Sequence, residues 1–319
     1  MKAIVYAEYG PPDALQLQEV AKPVPKDDQV LVKVHAASAN ALEWRRFTMP
    51  PILVRLFDGG LLKPKDTSLG ADIAGRVEAV GATVTQFQPG DEVFGVCRGG
   101  FAEYACAAEN RLALKPSNLS FDAAAAVPVA AFTALQGLRD RGQIQPGQKV
   151  LIQGASGGVG TFAVQLAKAF GAEVTAVCST RNLDMARSIG ADHVIDYTQE
   201  DFTKSGLRYD LIIAANGYHP ILAYRRALSP GGTYVAVGGS MAQIFQAMLL
   251  GPLLSRVGSK KMGFLLAHSN QEDLVFMGAV LEAGKVVPVI DRRYPLHEVA
   301  EAIKYLVEEH ARGKVVITV

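Results

Sequence analysis

A glycine-rich segment near the middle of the chain combines residue types that could bind a phosphate-containing ligand. Strand-forming residues from Lys149 lead into four glycines, and from Val159 onward apolar residues recur at helical spacing, which indicates strand, tight turn and helix. Glycine lets the main chain approach a bulky anion, which would face the free N–H groups and partial positive charge of the helix N-terminus. The spacing Ala155-x-Gly157-x-x-Gly160 has alanine at the first position of the dinucleotide-binding fingerprint. We predict a pyrophosphate site here; the alternative is a glycine-rich turn without a ligand.

Strands and helices alternate around this segment. The pattern predicts, in order, strand 149–154, helix 158–170, strand 173–179, helix 181–189, strands 193–197 and 209–215, helix 219–228, strand 232–238, helix 242–257 and strand 262–267. Such alternation is typical of a doubly wound parallel sheet, which binds ligands at the carboxyl ends of its strands. Short strands separated by Pro and Gly precede it in residues 1–120. The chain ends with a predicted helix 270–283, strand 286–290, helix 297–308 and strand 314–319.

Composition and charge exclude several classes of protein. A chain of 319 residues, 49% hydrophobic and 20% charged, is typical of a soluble globular protein with enough length for two cores. The formal net charge of +1 argues against nucleic acid or an anionic membrane as the main partner. The three cysteines form no CxxC pair, which favours a reducing, cytoplasmic location. The most apolar run, Ala247–Leu254, is too short to span a bilayer.

Eight short motifs occur in order along nearly the whole chain. They are Ala3-Ile-Val5, His35-Ala-Ala-Ser-Ala-Asn40, Gly70-Ala-Asp-Ile-Ala-Gly-Arg-Val77, Pro89-Gly-Asp-Glu-Val93, Gly100-Phe-Ala-Glu-Tyr104, Gly154-Ala-Ser-Gly-Gly-Val-Gly160, Gly190-Ala-Asp-His-Val194 and Gly313-Lys-Val-Val316. Together they resemble the medium-chain dehydrogenase/reductase superfamily, and more narrowly its zinc-independent, quinone-oxidoreductase-like branch.

The resemblance implies an α/β fold with two domains. Residues 1–122 would form a GroES-like β-barrel catalytic domain that is completed by residues 269–319. Residues 123–268 would form a Rossmann dinucleotide-binding domain with the doubly wound parallel sheet. Dimers are usual in the family, so a homodimer is expected.

The resemblance also bears on metal binding. Zinc-dependent members hold a catalytic zinc with a Cys, with the His of a Gly-His-Glu stretch and with a later Cys, and the matching positions here are Asn40, Ala71 and Val129. Alanine and valine cannot ligate a metal, and a catalytic zinc site needs three protein ligands. The family's four-cysteine structural zinc loop is missing as well. We predict no metal.

The cofactor contacts follow from the same comparison. NAD-binding members close the second strand of the sheet with an acidic residue, whereas this chain has Ser179-Thr180-Arg181 there. Small hydroxyls and a guanidinium suit a 2′-phosphate, so we predict NADP(H). The remaining predicted contacts lie in the glycine-rich turn, on the helix before it and after the later strands. They are Thr133, Gly154, Ala155, Ser156, Gly157, Gly158, Val159, Gly160, Tyr197, Asn216, Gly238, Gly239 and Ser240.

The expected chemistry is reduction of an acceptor that stabilises its own charge. Without a metal, the alkoxide formed during oxidation of a simple alcohol would have no Lewis acid. A quinone or α,β-unsaturated carbonyl delocalises the incoming electrons onto oxygen and mainly needs positioning and one or two hydrogen-bond donors. Asn40 is the predicted donor and Trp44 the predicted flank of a flat acceptor, with solvent as the proton source. The structural alternatives are that Asn40 holds its own loop and that Trp44 packs in a core.

Three functions remain open at this point. The first is an NADPH-dependent reductase of quinones, enones or enals, and the second is an NADP-linked alcohol or aldehyde oxidoreductase. The third is a non-catalytic nucleotide-sensing or partner-binding protein on the same scaffold. The apolar run Ala247–Leu254 is also open to three interpretations: a wall of the substrate site, a packing or subunit surface, or a peripheral contact with a membrane.

Overall fold

The computed structural model describes residues 1–8, 11–47, 64–309 and 311–319. The strands in these ranges are β1 (Lys2–Val5), β2 (Gln16–Glu19), β3 (Gln29–Ala39), β4 (Asp72–Val80), β5 (Glu92–Val96), β6 (Tyr104–Ala108), β7 (Leu112–Leu114), β8 (Lys149–Gln153), β9 (Glu173–Cys178), β10 (His193–Asp196), β11 (Tyr209–Ala214), β12 (Leu228–Ala236), β13 (Lys261–Phe264), β14 (Ile290–Pro295) and β15 (Lys314–Thr318). The helices are α1 (Ala41–Phe47), α2 (Phe121–Ala125), α3 (Pro128–Gln136), α4 (Gly158–Ala169), α5 (Leu183–Ser188), α6 (Ile221–Ala227), α7 (Met241–Ser255), α8 (Gln271–Glu282) and α9 (Val299–Glu308).

The chain divides into two compact units. The first comprises Met1–Val129, Ser269–Glu282 and Pro288–Val319, and the second comprises Ala130–His268 and Ala283–Val287. None of the helices described is long and apolar enough to cross a membrane.

The first unit is built on a mainly antiparallel sheet with the order β14-β15-β3-β4-β5-β7, and β6 also pairs with β3. The long strand β3 is central, because it pairs antiparallel with β4, β6 and β15. Its residues Val30, Val32 and Val34 belong to the unit's hydrophobic core. The pairing with β15 places Val315 opposite Ala39. The start of the last strand therefore lies at the end of the third, where α1 begins.

The second unit contains the parallel sheet that the alternation of strands and helices predicts. Its order is β10-β9-β8-β11-β12-β13, and each neighbouring pair is parallel. The strand order reverses between β8 and β11, and ligands of such sheets bind beside the carboxyl ends of the strands at this point. The glycine-rich segment follows β8, so the topology places it at that edge.

Two short segments belong to a different unit from the one that the predicted domain boundaries assign them to. Residues 123–129 belong to the first unit, because the N–H of Val129 donates to the Asp72 carboxylate at 2.9 Å. Residues 283–287 belong to the second unit, because the Gln165 side chain on α4 bonds to both the N–H and the C=O of Val287, at 2.8 and 2.9 Å.

The Gln165 side chain also explains why one predicted strand is wrong. The sequence favours a strand at 286–290, but the strand of the structure is β14, which begins at Ile290. Because Gln165 uses both backbone polar groups of Val287, that residue does not pair in a sheet.

Candidate active site

The glycine-rich turn has the geometry of an anion-binding loop. β8 ends at Gln153, Gly154 has a φ of +77° that favours glycine, and α4 begins at Gly158. A Cβ atom at Gly160 would lie 2.0 Å from the carbonyl oxygen of Gly154. The packing of α4 against the end of β8 therefore requires glycine at position 160.

Gly157, in contrast, is not required by the fold. Its φ of −84° is accessible to any residue, and a Cβ there would meet only the Gly154 carbonyl oxygen, at an ordinary 3.6 Å. Gly157 is also the N-cap of α4, and no side chain of the described residues caps the helix there. The N–H groups and partial positive charge at this helix N-terminus favour an anion.

The residues predicted to bind a 2′-phosphate follow β9, but they have an acidic neighbour. The Thr180 hydroxyl donates to Oδ2 of Asp196 at 2.5 Å. Hydrogen bonds from Thr180 and then Thr198 hold the pKa of Asp196 below its ordinary value, so the carboxylate stays ionised. Thr180 therefore commits its hydrogen to Asp196, whereas the Ser179 hydroxyl accepts from Asn182 at 3.1 Å and keeps its own hydrogen. Arg181 is exposed at the start of the following turn.

No sequence pattern pointed to Asp196. Asp196 is the last residue of β10. The register of β10 against β9 pairs Asp196 with Cys178, which brings the Asp196 carboxylate to Thr180. The alternation of strands and helices predicted a parallel sheet, but the register between two parallel strands is not encoded locally.

Other predicted cofactor residues gather at the same edge of the sheet. A Cβ at Gly154 would lie 2.9 Å from the backbone nitrogen of Asn216, and a parallel bridge joins Gly217 to Gly239. The Tyr197 ring lies 5.9 Å from the Tyr218 ring. Gly154, Ala155 and Ser156 lie in the turn itself, Gly158 and Val159 begin α4, Gly238 follows β12, and Thr133 is buried in α3. The Ser240 side chain caps α7 by accepting from the Gln243 N–H at 3.3 Å.

Beneath this edge lies a buried polar network that the sequence did not reveal. The Tyr224 hydroxyl donates to Oε1 of Gln153, and Nε2 of Gln243 donates to the hydroxyls of Tyr224 at 2.9 Å and Tyr234 at 3.1 Å. Nε2 of Gln153 and Oε1 of Gln243 have no hydrogen-bond partner among the residues described. A Cβ at Gly217 would lie 2.1 Å from Nε2 of Gln243, so this network supports the turns that follow β11 and β12.

A second polar cluster is buried in the first unit, where β3, β4 and β15 meet. Its centre is the Asp72 carboxylate, which is 0% exposed. Oδ2 of Asp72 accepts from Ser38 Oγ at 2.8 Å, Asn40 Nδ2 at 3.0 Å and Lys314 Nζ at 3.1 Å, and Oδ1 accepts from the Val129 N–H at 2.9 Å. These donors and the ammonium charge compensate a carboxylate whose burial would otherwise be costly.

The cluster also fixes the orientation of Asn40. Lys314 Nζ donates to Oδ1 of Asn40 at 2.6 Å, so the amide oxygen faces the ammonium and the amide nitrogen faces Asp72. The remaining contacts of that nitrogen, to Ser38 O at 3.4 Å and Glu43 Oε1 at 3.5 Å, are long. One amide hydrogen is thus firmly held and the other is held weakly.

Glu43 on α1 is the second buried carboxylate of the cluster. Its oxygens accept from the backbone N–H groups of Asn40 at 2.8 Å and Ala71 at 3.1 Å. Burial first, and the negative charge of Asp72 second, raise the pKa of Glu43 to about 7, against the opposing effects of these hydrogen bonds and of Lys314. Its charge therefore changes near neutral pH. The neighbouring Trp44 is half-buried and packs against the hydrophobic core of the unit.

Comparison with known proteins places this geometry in a family. The family model described as alcohol dehydrogenase GroES-like domain matches residues 26–117, and the one described as zinc-binding dehydrogenase matches residues 189–317. The 2-methylene-furan-3-one reductase of Solanum lycopersicum is 37% identical over 99% of this chain and 79% of its own. The chain belongs to the medium-chain dehydrogenase/reductase superfamily, in its quinone-oxidoreductase-like branch.

Further relatives agree with this membership. The chloroplastic NADPH-dependent alkenal/one oxidoreductase of Arabidopsis thaliana is 35% identical over 99% of the chain and 79% of its own length. The solved quinone oxidoreductase from Coxiella burnetii has a TM-score of 0.87 and 31% identity, with 100% of this chain and 99% of that one covered. The predicted fold class, a GroES-like domain with a Rossmann-type parallel-sheet domain, is confirmed.

The superfamily comparison gives the Asp72 cluster its meaning. Asn40, Ala71 and Val129, which the resemblance predicts to match the family's zinc ligands, all take part in this cluster. Asn40 contributes its side chain, whereas Ala71 and Val129 contribute backbone N–H groups to Glu43 and Asp72. Within the described ranges of the chain, no group of three or more His, Cys, Asp or Glu side chains is arranged to hold a metal ion.

Proposed function

We propose that this chain is an NADPH-dependent oxidoreductase that transfers hydride to a quinone or an α,β-unsaturated carbonyl without a metal. The observation that carries the proposal is the ammonium of Lys314, 3.1 Å from Asp72 and 2.6 Å from Asn40, at the positions of the family's zinc ligands. A cation that is covalently part of the chain supplies there the positive charge that compensates the buried carboxylate.

The donor set at this cluster does not fit a zinc ion. The side chains of Ala71 and Val129 offer no ligand atom, and a metal beside Asp72 would compete with the Lys314 ammonium. Oxidation of simple alcohols is therefore disfavoured, and no step of the proposed reaction passes through a metal.

The residues of the second unit fit NADP(H). When bound, the cofactor supplies the hydride. Gly157 leaves room beside the N-terminus of α4 for the pyrophosphate, and Gly154 and Asn216 lie together at the carboxyl edge of β8 and β11. The Ser179 hydroxyl and the Arg181 guanidinium are groups of the kind that bind a 2′-phosphate, whereas the Thr180 hydroxyl donates to Asp196.

In the proposed reaction, Asn40 orients the acceptor. The weakly held amide hydrogen of Asn40 is available to the acceptor oxygen, on which negative charge develops, while Lys314 and Asp72 keep the amide in place. Trp44 is proposed as a flank of the acceptor, and solvent as the source of the proton. The relatives named as a furanone reductase, an alkenal/one oxidoreductase and a quinone oxidoreductase support conjugated acceptors of this class.

We also propose a homodimer in a reducing, cytoplasmic compartment. The three cysteines are free thiols, two of them buried, which is compatible with reducing conditions. The homodimer is proposed from the family resemblance, because dimers are usual in that family. Sedimentation velocity tests the dimer, and cell fractionation tests the compartment.

The decisive experiment is NADPH oxidation by the purified protein against quinones, enones, enals and simple aldehydes. The panel is run with a chelator and with NADH in parallel. We expect chelator-resistant turnover of the conjugated acceptors and a preference for NADPH. Turnover confined to simple aldehydes or abolished by the chelator would contradict the proposal, and NADPH binding without turnover would indicate a nucleotide-binding protein instead.

A matched pair of variants tests the role of Asn40. Asn40→Ala removes the donor, and we expect kcat to fall about 10-fold with the Kd for NADPH unchanged. Asn118→Ala serves as the control, because the Asn118 side chain donates to the Leu281 carbonyl in a different part of the unit. Equal kcat values in the two variants would show that the Asn40 side chain takes no part in the reaction.

A further inference from the structure

One face of α7 is apolar and exposed. Met241, Phe245, Met248, Leu249 and Leu253 follow one another at helical spacing, with exposed fractions between 39% and 67%. The opposite face, Gln243, Ile244, Ala247 and Gly251, is buried. We call the five exposed residues the α7 apolar face. Its residues form one contiguous stripe, which is unusual for a surface that only meets water.

The chain segment that contains this face carries charged side chains of a single sign. From Leu211 to Gln271 the sequence contains no Asp or Glu, although it contains Arg225, Arg226, Arg256, Lys260 and Lys261. The net charge of the whole chain does not show this asymmetry, because all Asp and Glu residues lie outside residues 211–271.

The structure places several of these cations close together. Arg256 follows directly on the last turn of α7, one helical turn after Leu253, and it is exposed, as is Lys261. Lys260 Nζ donates to the Arg225 carbonyl at 2.8 Å. Burial, followed by the positive charges of Arg208 and Arg225, lowers the pKa of Lys260. The apolar face is therefore bordered by a positive field that no neighbouring carboxylate of the segment 211–271 offsets.

We propose that the α7 apolar face is a peripheral docking surface for a bilayer that contains anionic lipid. Apolar side chains on one face of a short helix, with basic residues beside them, suit a helix that lies in the membrane interface with its axis parallel to the surface. The 15 residues of α7 are fewer than the roughly 20 needed to span a bilayer, so the helix lies on the membrane and does not cross it.

The charge pattern favours lipid over a second copy of this chain. In a two-fold symmetric dimer the same patch meets itself, so the cations near α7 would face the same cations, with no carboxylate of the segment to pair with them. Lipid phosphates and anionic headgroups supply the missing opposite charge. This inference does not depend on which acceptor the protein reduces.

Co-sedimentation of the full-length protein with vesicles tests the proposal. We expect binding to vesicles of phosphatidylcholine with about a third phosphatidylglycerol, at least roughly 10-fold stronger than to phosphatidylcholine alone. High salt should weaken this binding, since the basic residues contribute through screened charge interactions.

Paired variants distinguish vesicle binding through the α7 apolar face from binding through other exposed apolar side chains. The double variant Leu249→Gln/Leu253→Gln should lose most of the binding, and Arg256→Gln/Lys261→Gln should lose the preference for anionic vesicles. The matched control is Val24→Gln/Val275→Gln, since both valines are exposed but lie in the first unit. Circular dichroism and thermal melting verify that each variant is folded.

Three results would overturn the inference. One is the absence of vesicle binding by the unaltered protein, and another is equal loss of binding in the control and the α7 variants. The third is conversion of an oligomer to monomers by Leu249→Gln/Leu253→Gln in sedimentation velocity without lipid, which would make the face a subunit interface.

Discussion

Lys314 and Asn40 are 274 positions apart in the sequence, yet Nζ of the lysine donates to Oδ1 of the asparagine at 2.6 Å. Both side chains are buried, and both also bond to Oδ2 of Asp72. The contact joins the last strand of the chain to the end of β3, where the proposed hydrogen-bond donor to the acceptor lies. The final motif of the sequence, Gly313-Lys-Val-Val316, thereby acquires a role that the sequence alone did not assign to it.

Replacing Lys314 should destabilise the first unit. Lys314→Met leaves the buried Asp72 carboxylate without its cation, so the free energy of unfolding should fall by about 3–5 kcal/mol. Urea denaturation measures the change. Lys304→Met is the control, because Lys304 pairs with Asp13 and Glu301 at the surface, and its loss should lower the free energy of unfolding far less than the loss of Lys314.

Removing both charges should restore part of the lost stability. In Lys314→Met/Asp72→Asn the buried charge of Asp72 is removed together with its cation, so the double variant should be more stable than Lys314→Met alone. If the two variants unfold at the same urea concentration, the Lys314–Asp72 pair does not carry the stability assigned to it.

Glu43 should make stability depend on pH. Its pKa of about 7 in the folded protein exceeds the roughly 4.3 of an unfolded chain, so the folded state binds more protons between these values. The free energy of unfolding should therefore fall as pH rises from about 4.3 to 7, by up to about 4 kcal/mol, and level off above. Chemical denaturation at a series of pH values measures this slope.

The corresponding variant is Glu43→Gln, which cannot ionise and should flatten the slope over the same interval. Glu200→Gln, at an exposed position, should leave the slope unchanged. A slope that persists in Glu43→Gln would have to come from other groups.

Two glycines of the nucleotide loop should respond differently to alanine. Gly160→Ala puts a Cβ 2.0 Å from the Gly154 carbonyl oxygen and should lower the melting temperature, whereas Gly157→Ala meets that atom at 3.6 Å and should fold normally. Because the space beside Gly157 is assigned to the pyrophosphate, Gly157→Ala should weaken NADPH binding about 10-fold or more. Thermal melting measures the first effect and fluorescence titration the second. Unchanged NADPH affinity in Gly157→Ala would mean that the phosphate binds elsewhere.

The preference for NADPH should be governed by Arg181 and Asp196 in opposite directions. Arg181→Ala should raise the Kd for NADPH about 10-fold and leave that for NADH nearly unchanged, because only NADPH carries the 2′-phosphate. Asp196→Asn removes a negative charge beside Thr180 and should lower the Kd for NADPH severalfold.

The control for these measurements is Arg187→Ala on α5, since Arg187 is exposed and pairs with Asp184. Its Kd values for both cofactors should match those of the unaltered protein. If Asp196→Asn leaves the Kd for NADPH unchanged, the carboxylate lies outside the phosphate site.

The sequence by itself determined the features that depend on local pattern. The alternation of strands and helices predicted the parallel sheet, and the glycine spacing predicted the loop between β8 and α4, because turn conformation and periodicity are properties of neighbouring residues. The eight motifs supplied the family and the fold class. The predicted roles of Asn40, Trp44 and the cofactor residues stay predictions, to be decided by the experiments above.

Only the tertiary structure decided which distant groups meet. Strand register placed Asp196 beside Thr180, and the pairing of β15 with β3 brought Lys314 to Asn40. The Gln165 side chain took Val287 out of the strand that its sequence favours. Each of these contacts joins residues that are far apart in the chain, so its energy depends on packing and burial that no local sequence pattern specifies.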